Sequence, residues 1–465
     1  MKLRLDSRSS TPMVQQLVDA IREWIEQHGV ADGQRLPSIR RLSAEHGISR
    51  NAVIEAYDQL VAHGVIRARP GSGFYVAINA AGETQTPSVS MEDVTDEMWR
   101  LFQADEGDLK LGCGWLPNHW REDDDLTYAI RQVARQGGAS LFEYSTPMGT
   151  PRLRQLIQER LRLLDINTQA NQILMTGGGS HSLDLIVRLL LSPGDVVFVE
   201  APGYYNLFGL LHLQRVTVVG VPRLCDGPDT QRLEALLHRH RPKLFFTNSV
   251  FQNPTGTTLA PTIAHRVLQL AQRHDVQIVE DDIYADFQAQ PTTRLAALDG
   301  LERVIYLGSF SKSLSSSLRV GFIASQAPLL KRLVDIKMLT AISTSPFAEQ
   351  VVATLLENGS YRKLTERLRI KLAAQLARTL ALVKQAGWEV FATPAGGMFL
   401  WVRHPAVERS SQLVERAAQL GIRLSPGDLF FPHKDASPWL RLNVAYANDP
   451  RAKRFIEQPL LSTGI

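Results

Sequence analysis

Apolar residues recur at helical spacing from Pro12 onward: Val14, Leu17, Val18, Ile21, Trp24 and Ile25 share one face, and Pro12 stands where a first turn tolerates it. This predicts an amphipathic helix ending near His28-Gly29. After GQRLPS, a second short helix is expected from about Ser38 to Glu45, stopped at His46-Gly47 by a left-handed cap. A third comes next, with Ser49 as N-cap, an apolar stripe of Val53, Tyr57, Leu60 and Val61, and a stop at His63-Gly64. The pattern then changes. VIRARPGSGFYV places two β-prone runs around the turn Pro70-Gly71-Ser72-Gly73. Three helices and a hairpin over residues 10–78 predict an α+β winged helix-turn-helix.

Residues 79–108 are small, polar and acidic apart from an apolar island around Met98 to Phe102, and read as a linker. Beyond them VVFVE, KLFFTN, VQIVE and RVIYLGS alternate with helical segments, the pattern of an α/β domain around a mostly parallel sheet, expected over 109–345. A long helical stretch from about Pro346 to Gln385 then opens a small C-terminal α+β subdomain, 346–465.

Composition narrows the class. With 465 residues, 44% apolar and 21% charged, the chain reads as a soluble protein of several domains. Cys113 and Cys225 form no CxxC pair and the histidines show no metal-ligand spacing, so neither a disulfide framework nor a metal site is expected. No run approaches the roughly 18 apolar residues of a membrane span, and a cytoplasmic location is the expectation. Net charge is +4, and residues 1–78 hold ten Lys/Arg against eight Asp/Glu. Binding to nucleic acid would therefore rest on a few placed arginines.

In a winged helix-turn-helix the third helix enters the DNA major groove by its first turn. That puts Arg50 and Asn51 at base edges, Ser49 near phosphate and Arg40 within reach of the backbone. The tip Gly71, Ser72, Gly73, flanked by Arg67 and Arg69, can approach the minor groove. A helical module for protein contacts, with solvated arginines, is the alternative. The run LPSIRRLSAEHGISRNAVIEAYDQLVAHGVIRARPGSGFYV closely resembles the DNA-binding domain of the GntR regulators across residues 12–78. The resemblance implies a double-stranded DNA operator as partner.

Glycines 177–179 and Ser180 precede a helix whose free amides can hold a phosphate. Alone, such a turn is commonplace. FQNPTG (251–256), VEDDIYADF after VQIVE, and GSFSKSLSSSLRVGF (308–322) after RVIYLG all come after strands, and such strand ends converge at one sheet edge. The order of the set gives it weight.

From about Lys110 onward the chain resembles a fold-type I aminotransferase dependent on pyridoxal phosphate. The resemblance implies that Lys312 forms the internal aldimine, which requires a neutral amine, its pKa lowered by burial and by a cation such as Arg319. It implies a phosphate site of Gly179, Ser180, Ser309, Ser311 and Arg319, and Asp281 on the pyridine nitrogen. Asn253 and Tyr284 would hold the ring oxygen, Tyr204 would stack on the ring, and Arg441 would grip a substrate carboxylate. Tyr144 matches a tyrosine that reaches the partner subunit's cofactor, which implies a homodimer. Ser180-His181 stand where relatives commonly carry a glutamine, and His181 reads as a helix-surface residue.

Winged helix, linker and aminotransferase-like domain, in this order, resemble the MocR subfamily of bacterial transcription regulators. This resemblance implies a regulator that carries pyridoxal phosphate on Lys312 and senses a small amino compound, with a carboxylate, or the cofactor itself. A working aminotransferase with a DNA-binding appendage, and a cofactor carrier with a protein-binding front module, are the competing readings.

Overall fold

A computed structural model of the chain describes residues 1, 3, 5–6, 11–27, 33–62, 65–69, 73–76, 107–121, 123–136 and 142–460. The chain divides into two units, Met1–Thr86 and Pro87–Ile465.

In the first unit α1 (Met13–Gln27), α2 (Ile39–His46) and α3 (Arg50–Ala62) precede an antiparallel hairpin of β1 (Ile66–Arg69) and β2 (Gly73–Val76). Ser38 caps α2 by accepting from the Arg41 amide, and Gly47 closes it in the left-handed region at φ 65°. The apolar faces meet in a core of Leu17, Val18, Ile21, Leu42, Val53, Tyr57, Leu60, Ile66 and Val76. Tyr57 fixes α3 to its surroundings, because its ring meets Phe74 edge-on at 4.6 Å while its hydroxyl donates to the Pro37 carbonyl at 2.8 Å. Sequence reasoning missed a third extended segment: the Gly33 amide donates to Val76 O at 2.8 Å and the Leu36 amide to Phe74 O at 2.9 Å, so residues 33–36 run along β2. The helix stops at His28-Gly29 and His63-Gly64, the tip Pro70-Gly71-Ser72 and most of the linker lie outside the described residues.

The second unit is built on an eight-stranded sheet: β3 (Ile173–Thr176), β4 (Val196–Ala201), β5 (Thr217–Leu224), β6 (Gly227–Pro228), β7 (Leu244–Thr247), β8 (Gln277–Asp281), β9 (Val304–Ser309) and β10 (Gly321–Ala324). Their order is β3-β10-β9-β8-β7-β4-β5-β6. Strands β9, β8, β7, β4 and β5 run parallel, whereas β10 is antiparallel to both its neighbours and β6 to β5. The sheet is mixed, with a parallel centre. Leu174, Val197, Val199, Phe246, Val279 and Leu307 feed one apolar core, and the alternate residues Ile173, Phe198, Phe245, Ile278 and Tyr306 feed the other. Both faces are apolar because helices cover both.

The helical stretch expected from Pro346 to Gln385 is two helices, Pro346–Glu357 and Ser360–Gln385, divided at Asn358-Gly359, where Gly359 takes φ 75°. A separate antiparallel sheet succeeds them, β11 (Glu389–Val390), β12 (Phe399–Arg403) and β13 (Trp439–Asn443). Residues 109–112 run beside this C-terminal part: Leu109 N donates to Gly421 O, Gly112 N to Arg423 O and Asn443 N to Leu111 O, each at 2.8 Å. That path brings Gly112 and Gly114 next to Arg441. Among the described residues no helix is long and apolar enough to cross a membrane, and no cluster suits a metal ion.

Candidate functional site

β3 ends in the turn Gly177-Gly178, which leads into the helix Gly179–Leu190. Gly178 has φ 94°, and a Cβ there would fall 2.7 Å from Arg319 Nη2. The positive φ favours glycine, and its missing Cβ leaves the guanidinium room to cross the turn. The amides of Gly179 and Ser180 occupy the first helical positions, where no intrahelical acceptor exists. Arg319 Nη1 reaches Ser311 Oγ at 3.4 Å, and no carboxylate among the described residues pairs with it. Amides, hydroxyl and guanidinium together form a cradle for an anion. The Ser309 hydroxyl serves the loop instead, accepting the Ser311 amide at 3.2 Å. His181 departs from its expected place on the helix surface. It is half-buried, and its Nδ1 accepts the Gly177 amide at 2.9 Å, fixing the turn. Burial, then the Lys337 ammonium, hold its imidazole below the ordinary range.

The loop after β9 carries Lys312, whose Nζ donates to Gly114 O at 2.7 Å. Burial pushes this amine down to about 8, helped by the Arg441 charge, while Cys113 and Asp281 pull the other way. The principal cation is thus Arg441 rather than the expected Arg319. One backbone segment holds both side chains: Lys312 Nζ donates to Gly114 O and Arg441 Nη2 to Gly112 O, two residues apart.

Asp281 ends β8. One carboxylate oxygen accepts the Ile283 amide at 3.3 Å, and no cation among the described residues pairs with it. Burial pushes the carboxyl up to about 7. Tyr204 stands just before the helix Tyr205–Leu213, its hydroxyl accepting from Asn206 Nδ2 at 3.0 Å and raised by burial to about 12. Tyr284 is buried edge-on to Phe399 at 5.4 Å, and its hydroxyl is held well above the ordinary range, chiefly by burial.

Arg441, central in β13, is buried between the rings of Phe399 and Phe430, each 4.8 Å away. Its Nη1 donates to Asn253 Oδ1 at 2.7 Å and its Nη2 to Gly112 O at 2.6 Å. Asn253 keeps its amide nitrogen as a donor. No carboxylate among the described residues accompanies this buried cation, an arrangement that is costly until an anion arrives.

Tyr144 is 77% exposed and makes no hydrogen bond to these residues. Phe142 (88%) and Leu339 (85%) are exposed too. Lys337, which sequence reasoning missed, ties their segments together: its buried Nζ donates to Pro147 O at 2.7 Å and to Met175 O at 2.8 Å. In sequence it is one cation among several in KRLVDIKMLT, and no spacing marks it.

In the first unit Arg40, Ser49, Arg50 and Asn51 are all exposed at the starts of α2 and α3. The Ser49 hydroxyl accepts the Ala52 amide at 3.2 Å and so caps α3. Gly73, at φ 112°, lies under the Arg35 guanidinium, 3.5 Å from where a Cβ would sit. Gly71 and Ser72 lie outside the described residues.

A parallel-centred sheet with a half-buried lysine, an anion cradle and an acid without an ion pair among the described residues at its strand ends defines a class of protein, and sequence comparison agrees. Residues 107–458 match the aminotransferase class I and II family, and residues 13–76 match the bacterial regulatory proteins of the gntR family. The chain belongs to the class I and II aminotransferase family and carries a GntR winged helix-turn-helix; it is a transcription regulator with an aminotransferase-like domain. It is 28% identical to the probable rhizopine catabolism regulatory protein MocR of Rhizobium meliloti, over 97% of this chain and 94% of that one. It is 31% identical to the 2-aminoadipate transaminase of Thermus thermophilus, over 75% of this chain and 88% of the enzyme. The crystal structure of Pyrococcus horikoshii kynurenine aminotransferase superposes with a TM-score of 0.73 at 26% identity, covering 78% of this chain and 92% of that enzyme.

Proposed function

We propose that this regulator binds a double-stranded operator through its first unit and holds pyridoxal phosphate on Lys312 in its second, with a small amino compound as signal. The observation that carries this reading is Lys312: a half-buried amine pushed down to about 8, near Asp281, which forms no ion pair among the described residues. The other groups fit the cofactor. The Gly179 and Ser180 amides, Ser311 and Arg319 would hold the phosphate, with Ser309 ordering their loop. Asp281 would pair with the protonated ring nitrogen, Asn253 and Tyr284 would hold the ring oxygen, and Tyr204 would lie on the ring face. Bound there, the cofactor supplies an aldehyde that amines capture reversibly and a ring that withdraws electrons. Arg441 would take the signal's carboxylate bidentately, replacing neutral partners by a counter-charge.

The Lys312 nitrogen attacks only when neutral. Capture of added cofactor by the apo-protein is therefore expected to accelerate as pH rises through about 8 and to level off above it. Stopped-flow absorbance gives the profile; a midpoint at the ordinary 10.5 would show that burial does not tune this amine.

The exposed Phe142, Tyr144 and Leu339 support a homodimer in which a second copy covers this surface and Tyr144 reaches the other copy's cofactor. Signal binding shifts the regulator only if the ligand prefers one of two arrangements of that dimer. On DNA, Arg50→Ala is expected to weaken operator binding by about 1 to 3 kcal/mol, the range of a bidentate guanine contact. Gel retardation measures it, and equal loss on unrelated DNA would assign Arg50 to phosphate instead.

The likeness to a transaminase supports a second reading, a working aminotransferase with a DNA-binding unit. Multiple turnovers with an amino acid and a keto acid would favour the enzyme. A spectral response without turnover, together with ligand-dependent DNA retention, would favour the regulator.

A further inference from the structure

The second unit contains a cavity that the cofactor reading does not use. Its volume is about 470 Å³, and its lining includes His119, Arg121, Asp125, Ser315, Ser316, Ser317 and Arg367. The charges in it are unequally matched. Asp125 accepts from Ser360 Oγ at 3.0 Å and lies 3.8 Å from Arg367. Arg121 has no such counterpart among the described residues. Its side chain makes a long contact of 3.5 Å from Nη2 to the Lys312 carbonyl, and its Nε is sealed from solvent with no partner. Burial also lowers the basicity of its guanidinium, the direction expected of a cation held without an anion. Across the cavity the Ser315 and Ser317 hydroxyls share one hydrogen bond at 2.9 Å, and Ser316 is exposed beside them.

A partly desolvated guanidinium facing a row of hydroxyls is the complement of an oxyanion. We propose that this cavity binds the carboxylate or phosphate group of a small metabolite, with Arg121 as its cation and the hydroxyls of Ser315 to Ser317 as further donors. The site is separate from the cradle at Gly178, Ser311 and Arg319, and from Arg441. It is not isolated from them, because Arg121 touches the backbone carbonyl of Lys312. An anion that draws Arg121 toward itself acts on the loop from which the lysine extends.

Calorimetric titration of the full chain, saturated with pyridoxal phosphate, with inorganic phosphate and separately with succinate, tests this and tells the two anion types apart. At least one probe is expected to bind, and Arg121→Gln is expected to weaken it at least tenfold. Ser316→Asp, at an exposed position, should weaken the same probe by repulsion and serves if Arg121→Gln fails to fold. No binding by either probe overturns the proposal, as does binding unaffected by both variants. Loss in Arg319→Gln but not in Arg121→Gln would place the anion in the cradle, and loss in Arg441→Gln alone would place it at the ligand carboxylate site. Either result overturns the proposal, while absorbance reports cofactor attachment independently.

Discussion

Lys312→Ala is expected to yield a folded protein that no longer acquires the visible absorbance of bound pyridoxal phosphate. The half-buried ammonium of Lys312 stands near two guanidiniums, Arg441 and Arg121, which raise the cost of its charge, so alanine removes an unfavourable cation rather than a support. Among the described residues, the hydrogen bond lost is that to Gly114 O. Fold and cofactor chemistry therefore separate: circular dichroism should stay as in the parent while the absorbance band disappears after dialysis. A band that survives dialysis in the alanine variant would remove Lys312 from its proposed role. Loss of the fold would show that the amine is structural.

The largest stability effect is expected one position beyond Asp281. Asp282 and Arg294 are both fully buried, paired at 2.5 Å, and Asp282 also accepts from the Tyr306 hydroxyl at 2.7 Å. Asp282→Ala leaves the guanidinium buried without its charge partner, which costs about 3 to 5 kcal/mol in comparable cases. Urea unfolding monitored by tryptophan fluorescence reads the loss in the second unit. The double variant Asp282→Ala with Arg294→Met is expected to recover most of it, because the stranded cation is gone. A single-variant loss below about 1 kcal/mol would show that water or a shifted side chain takes up the charge.

The sequence made legible whatever is local or strictly ordered. Ser38, Gly47 and Ser49 announce the helix ends by their own side chains or backbone freedom, and the structure places each at its cap. Asn253, Asp281, Ser309 and Lys312 could be named because they stand at or just after the ends of β7, β8 and β9, neighbouring parallel strands of one sheet, whereas Arg441 sits inside a strand of the other. Partnerships across the chain were not legible. Lys312 and Arg441 meet on the carbonyls of Gly114 and Gly112, in a segment without a motif, so no spacing showed that Arg441 would stand near the lysine. Lys337 and Arg121 look like ordinary surface cations until folding strips their solvent. The break at Gly359 escaped notice because apolar spacing continues on both sides of it.

Among the described residues, the core around Tyr57 is filled from the first unit, and the two cores flanking the large sheet from Leu109 onward. Among the described residues each core takes its apolar filling from its own unit. A gene fusion could have joined them without repacking either, and descendants could exchange one front cassette for another while keeping the same ligand chemistry behind it. The proposed operator and ligand preferences would in that sense be separately heritable traits of one polypeptide.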